Sequence, residues 1–235
     1  MRQDHAIFTG DLIRSTRTAP ERIEATMALL SDTAGRIAAL TGTDTRFTRF
    51  RGDGWQIHVA PVRHVWLALV LTLATLRASP GALETRVSIG VGPVDTLGTG
   101  DLSDGHGAAF TVSGRALDSL GRPGRIAGTG DDPPGVSQSR RVVLAGTVRP
   151  HHPVLAEYIA HLSTKWTRAQ AEAVALALRE PSATQGQLAT VLGISRQALN
   201  ARLKAAGYAP LQMTVFAANQ EAEEGAAGPA PRDTA

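Results

Sequence analysis

The sequence predicts an α+β fold: a mixed sheet-and-helix unit over residues 1–150, a small all-α unit over 151–219 and a disordered tail over 220–235. Three observations carry this. Up to residue 120 the patterning runs strand, helix, hairpin, helix, strand, loop, helix, which suits helices laid over one face of a sheet. From Pro153 onward only helical periodicity remains. Between the two, residues 121–137 hold five glycines and three prolines and read as a loop or partly disordered linker.

Taken in order, Ala6–Gly10 is a short apolar strand running into Asp11-Leu12-Ile13-Arg14-Ser15-Thr16. Pro20 and Glu21 open a helix to Leu40, with Ile23, Met27, Leu30, Ile37 and Leu40 on its apolar side. Residues 44–60 form a hairpin in which Gly52-Asp53-Gly54 interrupts the alternation, Asp-Gly supplying the turn. Trp66–Leu76 is a buried helix stopped by Ser79-Pro80-Gly81. Residues 85–92 alternate as a strand, 93–107 are a Gly/Asp-rich loop, 108–120 a helix and Val142–Leu144 a last strand. In the second half, Val154, Leu155, Tyr158, Ile159 and Leu162 share a helix face. Thr167, Thr184 and Ser195 stand where helix caps belong, for helices reaching Glu180, Leu192 and Ala206, and Gly193 and Gly207 stand at their ends.

Composition bounds the function. With 235 residues and 43% hydrophobic content the chain can bury a real core. It has no cysteine, which excludes disulfides and thiolate metal sites. The apolar run Val65–Leu76 is too short to span a bilayer, and Asp4 and Asp11 break up any signal-like start, so a soluble cytoplasmic protein with no membrane partner is expected. Residues 165–207 carry six basic and two acidic side chains, whereas 208–235 carry one basic and four acidic. The basic density fits an attraction to nucleic acid and equally a solvated face.

Two constellations stand out. In the first, Asp11 ends a strand and Asp53 tips the hairpin; side by side, the two carboxylates can hold divalent metal on a polyphosphate, while amides from Leu12 to Ser15 contact phosphate. Asp11 as a helix cap and Asp53 as plain turn chemistry are the structural alternatives. In the second, Leu188, Ala189, Leu192, Ile194 and Leu199 have the spacing of two helices packed across a tight turn at Gly193, and the next helix displays a basic, amide-rich face. Ser195, Arg196, Gln197 and Asn200 are the base-reading candidates, and Arg202 and Lys204 the phosphate contacts. A helical bundle that mediates dimerisation is the bland alternative.

Four segments in order, Phe8–Thr16, Phe50–Gly54, Arg86–Pro93 and Asp104–Arg115, resemble the class III nucleotidyl cyclase catalytic domain in a short, divergent form. The resemblance implies a cyclase-like, ferredoxin-like sheet-and-helix domain over 1–150 with its site between two protomers, hence a homodimer. It implies Asp11 and Asp53 as ligands of magnesium or manganese with a bound nucleotide, Asp104 at the adenine-recognising position and Arg115 as the catalytic arginine facing the transition state. It also places Arg49 where the family has a base-contacting lysine, Thr111 where it has a ribose-orienting asparagine, and Arg14, beside Ser15, where it has a small glycine. Residues 184–203 resemble the helix-turn-helix of bacterial transcription regulators, and the two-part layout resembles proteins described as SatD-like. These resemblances imply a DNA-binding regulator that dimerises on double-stranded DNA and senses a nucleotide. The competing expectation is a metal-dependent adenylyl cyclase making a cyclic nucleotide from ATP.

Overall fold

The computed structural model describes residues 4–120 and 141–227. Strand β1 (His5–Leu12) is the centre of a five-stranded sheet ordered β2 (Phe47–Phe50), β3 (Gly54–Val59), β1, β4 (Thr85–Gly92), β7 (Val142–Gly146). Helix α1 (Pro20–Thr41) links β1 to β2, and α2 (Val65–Ala78) links β3 to β4. Four antiparallel strands with this connectivity are the ferredoxin-like split βαβ arrangement, and β7 adds to it in parallel beside β4.

The period of two decides what each sheet face carries. Ala6, Phe8 and Leu12 of β1 share a face with Trp55, Ile57, Val87 and Ile89, and these join the main core with α1 and α2. The alternate residues, Thr9, Asp11, Gln56, His58, Arg86 and Ser88, make the opposite face polar. The expectation of helices over one face alone is corrected here, because α3 (Ala108–Leu120) crosses the polar face. Ser113 of α3 meets the Thr9 hydroxyl at 2.9 Å, and its carbonyl accepts from Ser88 Oγ at 2.6 Å. Gly90 permits the crossing: a Cβ there would lie 2.2 Å from the Ala109 carbonyl oxygen.

Residues 93–107, expected as loop, contain a small ribbon of β5 (Val94–Thr96) and β6 (His106–Gly107). The hairpin turn also sits earlier than Asp-Gly implied. The left-handed residues are Arg51 (φ 47°) and Gly52 (φ 82°), and Gly54 already belongs to β3, where any Cβ would strike Phe50. The glycine- and proline-rich stretch 121–137 lies outside the described residues.

Five helices follow: α4 (His151–Lys165), α5 (Arg168–Arg179), α6 (Gln185–Val191), α7 (Arg196–Ala205) and α8 (Tyr208–Ala227). Helix α4 starts at His151, ahead of Pro153, whose missing N–H is harmless in a first turn. Helix α8 continues through Ala227, so its helical backbone enters the stretch expected to lack structure. Among the described residues the C-terminal helices pack against the first half of the chain. Helix α2 is buried nearly all round, and α4 and α5 cover the side the sheet leaves open. Alanines 171, 173, 175 and 177 are all buried, 171 and 175 on one side of α5 and 173 and 177 on the other, so the helix packs closely on more than one face. Arg77 Nε donates to the Trp166 carbonyl at 2.8 Å, Arg168 Nε to the Ala78 carbonyl at 3.0 Å, and the buried Trp166 indole N–H to the Ala206 carbonyl at 2.9 Å. One hydrophobic core runs from Ala6 to Leu211. No helix among the described residues is long and apolar enough to cross a membrane.

Candidate functional site

The strand pairing sets Asp11, at the carboxyl end of β1, beside the hairpin turn that carries Asp53. Register sets Asp11 opposite Gly54 of β3, next to Asp53, and opposite Arg86 of β4. The backbone is pinned from both sides: Leu12 N donates to the Asp53 carbonyl at 3.1 Å and Ile13 N to the Glu84 carbonyl at 2.8 Å. Beneath them Thr85 Oγ1 donates to the Asp11 carbonyl at 2.7 Å and accepts from the buried Trp55 indole at 3.0 Å.

Arg86 closes the corner. Its Nε donates to Asp11 Oδ1 at 2.8 Å and its Nη2 to Asp11 Oδ2, a planar two-bond fork. The bond to Asp11 chiefly holds the Arg86 guanidinium's pKa above its usual value against the cost of burial; the fields of Asp11 and Asp53 add to this. Asp53 Oδ2 accepts a short hydrogen bond from Ser15 Oγ. Arg14 (φ 63°) and Arg51 (φ 47°) flank the pair, the non-glycine residues with left-handed backbone among those described. Each such conformation costs about 1–3 kcal/mol, and strain of this kind gathers where a turn has a second task. Both side chains are exposed.

A divalent ion does not fit this arrangement. Both Asp11 oxygens face a guanidinium, one Asp53 oxygen faces a hydroxyl, and among the described residues no group of three or more His, Cys, Asp or Glu is placed to hold a metal.

The remaining expected residues scatter. Arg49 lies opposite Trp55, on the other sheet face from Asp11, and its guanidinium takes Glu24 of α1 at 2.7 Å and the Gly52 carbonyl at 2.7 Å. Asp104 folds its own loop, accepting from Thr99 N at 3.3 Å and Thr99 Oγ1 at 3.1 Å. Thr111 Oγ1 donates within α3 to the Gly107 carbonyl at 3.3 Å. Arg115 is exposed on α3.

Sequence reasoning missed a histidine pair farther along the polar face. His58 Nδ1–H donates to the Asp44 carbonyl at 3.0 Å, so its Nε2 accepts from His5 Nδ1–H at 2.8 Å. Burial, reinforced by the neighbouring His5, pushes the His58 pKa down to about 4 against the weaker pull of Asp44. Alternation placed His58 in the hairpin but began the first strand at Ala6, one residue past His5; only the strand pairing brings the two together.

In the C-terminal helices the capping expectations agree with the structure. Thr184 and Gln187 form a reciprocal capping box at α6, and Ser195 Oγ accepts from Ala198 N at 3.1 Å at the start of α7. Gly193 (φ 64°) makes the turn between them, and Leu188, Ala189, Leu199 and Leu203 fill the contact. Ser195, Arg196, Gln197, Asn200 and Lys204 are exposed. Arg202 differs: it is half-buried and lies 3.7 Å from Glu172 of α5, an internal pairing.

No protein-family model and no curated protein matches the chain. Solved structures do. The catalytic core of a rhodopsin-guanylyl cyclase with converted specificity, in complex with ATPαS, is similar at 20% identity and a TM-score of 0.39, covering 49% of this chain and 71% of that one. The guanylyl cyclase Cya2 is similar at 20% identity and 0.36, covering 49% and 70%. Neither a family nor the SatD-like label follows from these partial likenesses.

Proposed function

We propose that this chain is a DNA-binding transcription regulator that works as a homodimer, with the corner at the end of β1 sensing a nucleotide. The observation that carries the reading is the outer face of α7. A serine-capped helix, packed by its leucines onto α5 and α6, presents Arg196, Gln197, Asn200 and Lys204 together toward solvent. Arginine pairs with guanine edges, asparagine and glutamine with adenine edges, and lysine with phosphate. One such helix spans only part of a site, and a second copy supplies the matching half-site. The core shared through α2 offers a path between nucleotide and DNA. A ligand uses it only by binding one arrangement better than another.

The test is fluorescence anisotropy of the full chain on duplexes selected from a randomised pool, against scrambled duplexes at moderate salt. Preference for the selected duplexes, lost in Arg196→Ala with Asn200→Ala, is the expected result. Equal binding to scrambled DNA, or none, overturns the reading.

The second reading is a metal-dependent adenylyl cyclase producing a cyclic nucleotide from ATP, which requires Arg86 to leave Asp11 so that the carboxylate can take an ion. Its support is the convergence of Asp11 and Asp53 at one sheet end, with Arg115 exposed on the helix over the same face. Chromatography of ATP or GTP incubated with the protein and magnesium or manganese decides it. Product that Asp11→Asn abolishes establishes the activity; absence of product at high protein concentration rejects it.

A further inference from the structure

The corner holds two carboxylates of the kind a divalent cation bridges to phosphate, yet the chain already supplies a cation there. We propose that Arg86 is the built-in cation of this site, so that a polyphosphate ligand binds it without divalent metal, on Arg86, Arg14 and Arg51. The ligand half of this rests on the nucleotide-sensing reading above.

Register fixes the arrangement. Arg86 stands directly opposite Asp11 in the β1–β4 pair, on the same face, and reaches it by a planar fork. The fork takes one lone pair from each Asp11 oxygen and sets a positive charge against the carboxylate, so a divalent ion approaching Asp11 meets the repulsion of the guanidinium. The guanidinium has five N–H donors and the fork uses two, which leaves three for phosphate oxygens.

The charge balance points the same way. Two carboxylates alone repel a polyphosphate, which is the usual reason such a site takes up metal. Here Asp11, Asp53, Arg86, Arg14 and Arg51 together carry one net positive charge. The two flanking arginines are set by the same contacts that set the carboxylates. Ser15, next to Arg14, bonds to Asp53, and Asp53 N donates to the Arg51 carbonyl at 3.0 Å. Both side chains are exposed at left-handed positions on either side of the pair.

Two measurements on the full chain test this. The first uses manganese alone, read by electron paramagnetic resonance. The wild type is expected to leave the free-ion spectrum unchanged, and Arg86→Gln to gain a bound ion that a further Asp11→Asn removes. Manganese bound by the wild type and lost in Asp11→Asn overturns the proposal, and this comparison holds even if circular dichroism shows Arg86→Gln unfolded. The second is calorimetric titration of ATP in EDTA and in magnesium. Affinities within about threefold of each other are expected, a difference well under 1.4 kcal/mol. Weakening in EDTA by about tenfold or more overturns the proposal while the nucleotide reading stands. No binding of ATP or GTP in either medium overturns the nucleotide reading and the ligand half with it; the manganese result then judges the built-in cation alone.

Discussion

The corner at the end of β1 and the outer face of α7 are both rich in charge, and they handle it in opposite ways. At the corner the carboxylates are matched inside the chain, Asp11 by Arg86 and Asp53 by Ser15. On α7, Arg202 lies 3.7 Å from Glu172 of α5, whose side chain is half exposed, while Arg196 and Lys204 are exposed with Gln197 and Asn200. Charge paired across strands holds structure and sets what else may bind. Charge left on a capped helix face is available to a partner. The difference predicts that breaking the Asp11–Arg86 pair lowers stability, whereas removing an exposed, unpaired charge from α7 leaves stability almost unchanged.

The largest expected effect challenges the assumption that the two regions can be measured apart. Trp166→Ala removes a buried indole and its bond to Ala206, and is expected to cost about 3–5 kcal/mol. Because α2 serves both layers, urea unfolding should remain one transition by fluorescence and by circular dichroism; two separated transitions would show two independent units. Next comes pH. An unfolded histidine titrates near 6.5, and folded His58 near 4, so between those values the unfolded chain binds more protons. Stability from this group is complete above pH 6.5 and falls as pH drops toward 4, by on the order of 3 kcal/mol. His58→Gln should flatten that part of the stability curve.

Arg86→Ala comes third, at about 1–3 kcal/mol, because it strands a half-buried carboxylate, measured as a lower urea midpoint. Ser195→Ala is smaller, about 1 kcal/mol for a lost cap. Lys204→Ala sharpens the comparison most cleanly: stability within about 0.5 kcal/mol of wild type, and a slope of log affinity against log salt reduced by about 0.9 on DNA.

What the sequence revealed follows from the range of the interactions involved. The caps at Thr167, Thr184 and Ser195 and the turns at Gly193 and Gly207 depend on residues within a few positions, and the helices fall where those signals put them. That Asp11 and Asp53 lie near each other was offered by the sequence only on the condition that the first strand pairs with the hairpin, and the β1–β3 register supplies that pairing. Arg86 was not readable: as a lone residue in an alternating strand it has the pattern of a solvated side chain, and only the β1–β4 register puts it opposite Asp11. Arg49 shows the same dependence on register, since alternation across the hairpin turns it to the Glu24 side. The placement of α3 depends on Gly90, whose role appears only when a helix lies on it.

Helix α2 bears on how such a protein can be rebuilt. A unit joined only by a linker can be exchanged for another; the helical segment after β7 cannot be lifted off cleanly. Its helices form the outer wall of α2, and Arg77 and Arg168 stitch the seam. A chimera that keeps residues 1–150 and replaces the rest must bring its own alanine-rich helix to close that wall, or leave an apolar helix facing water.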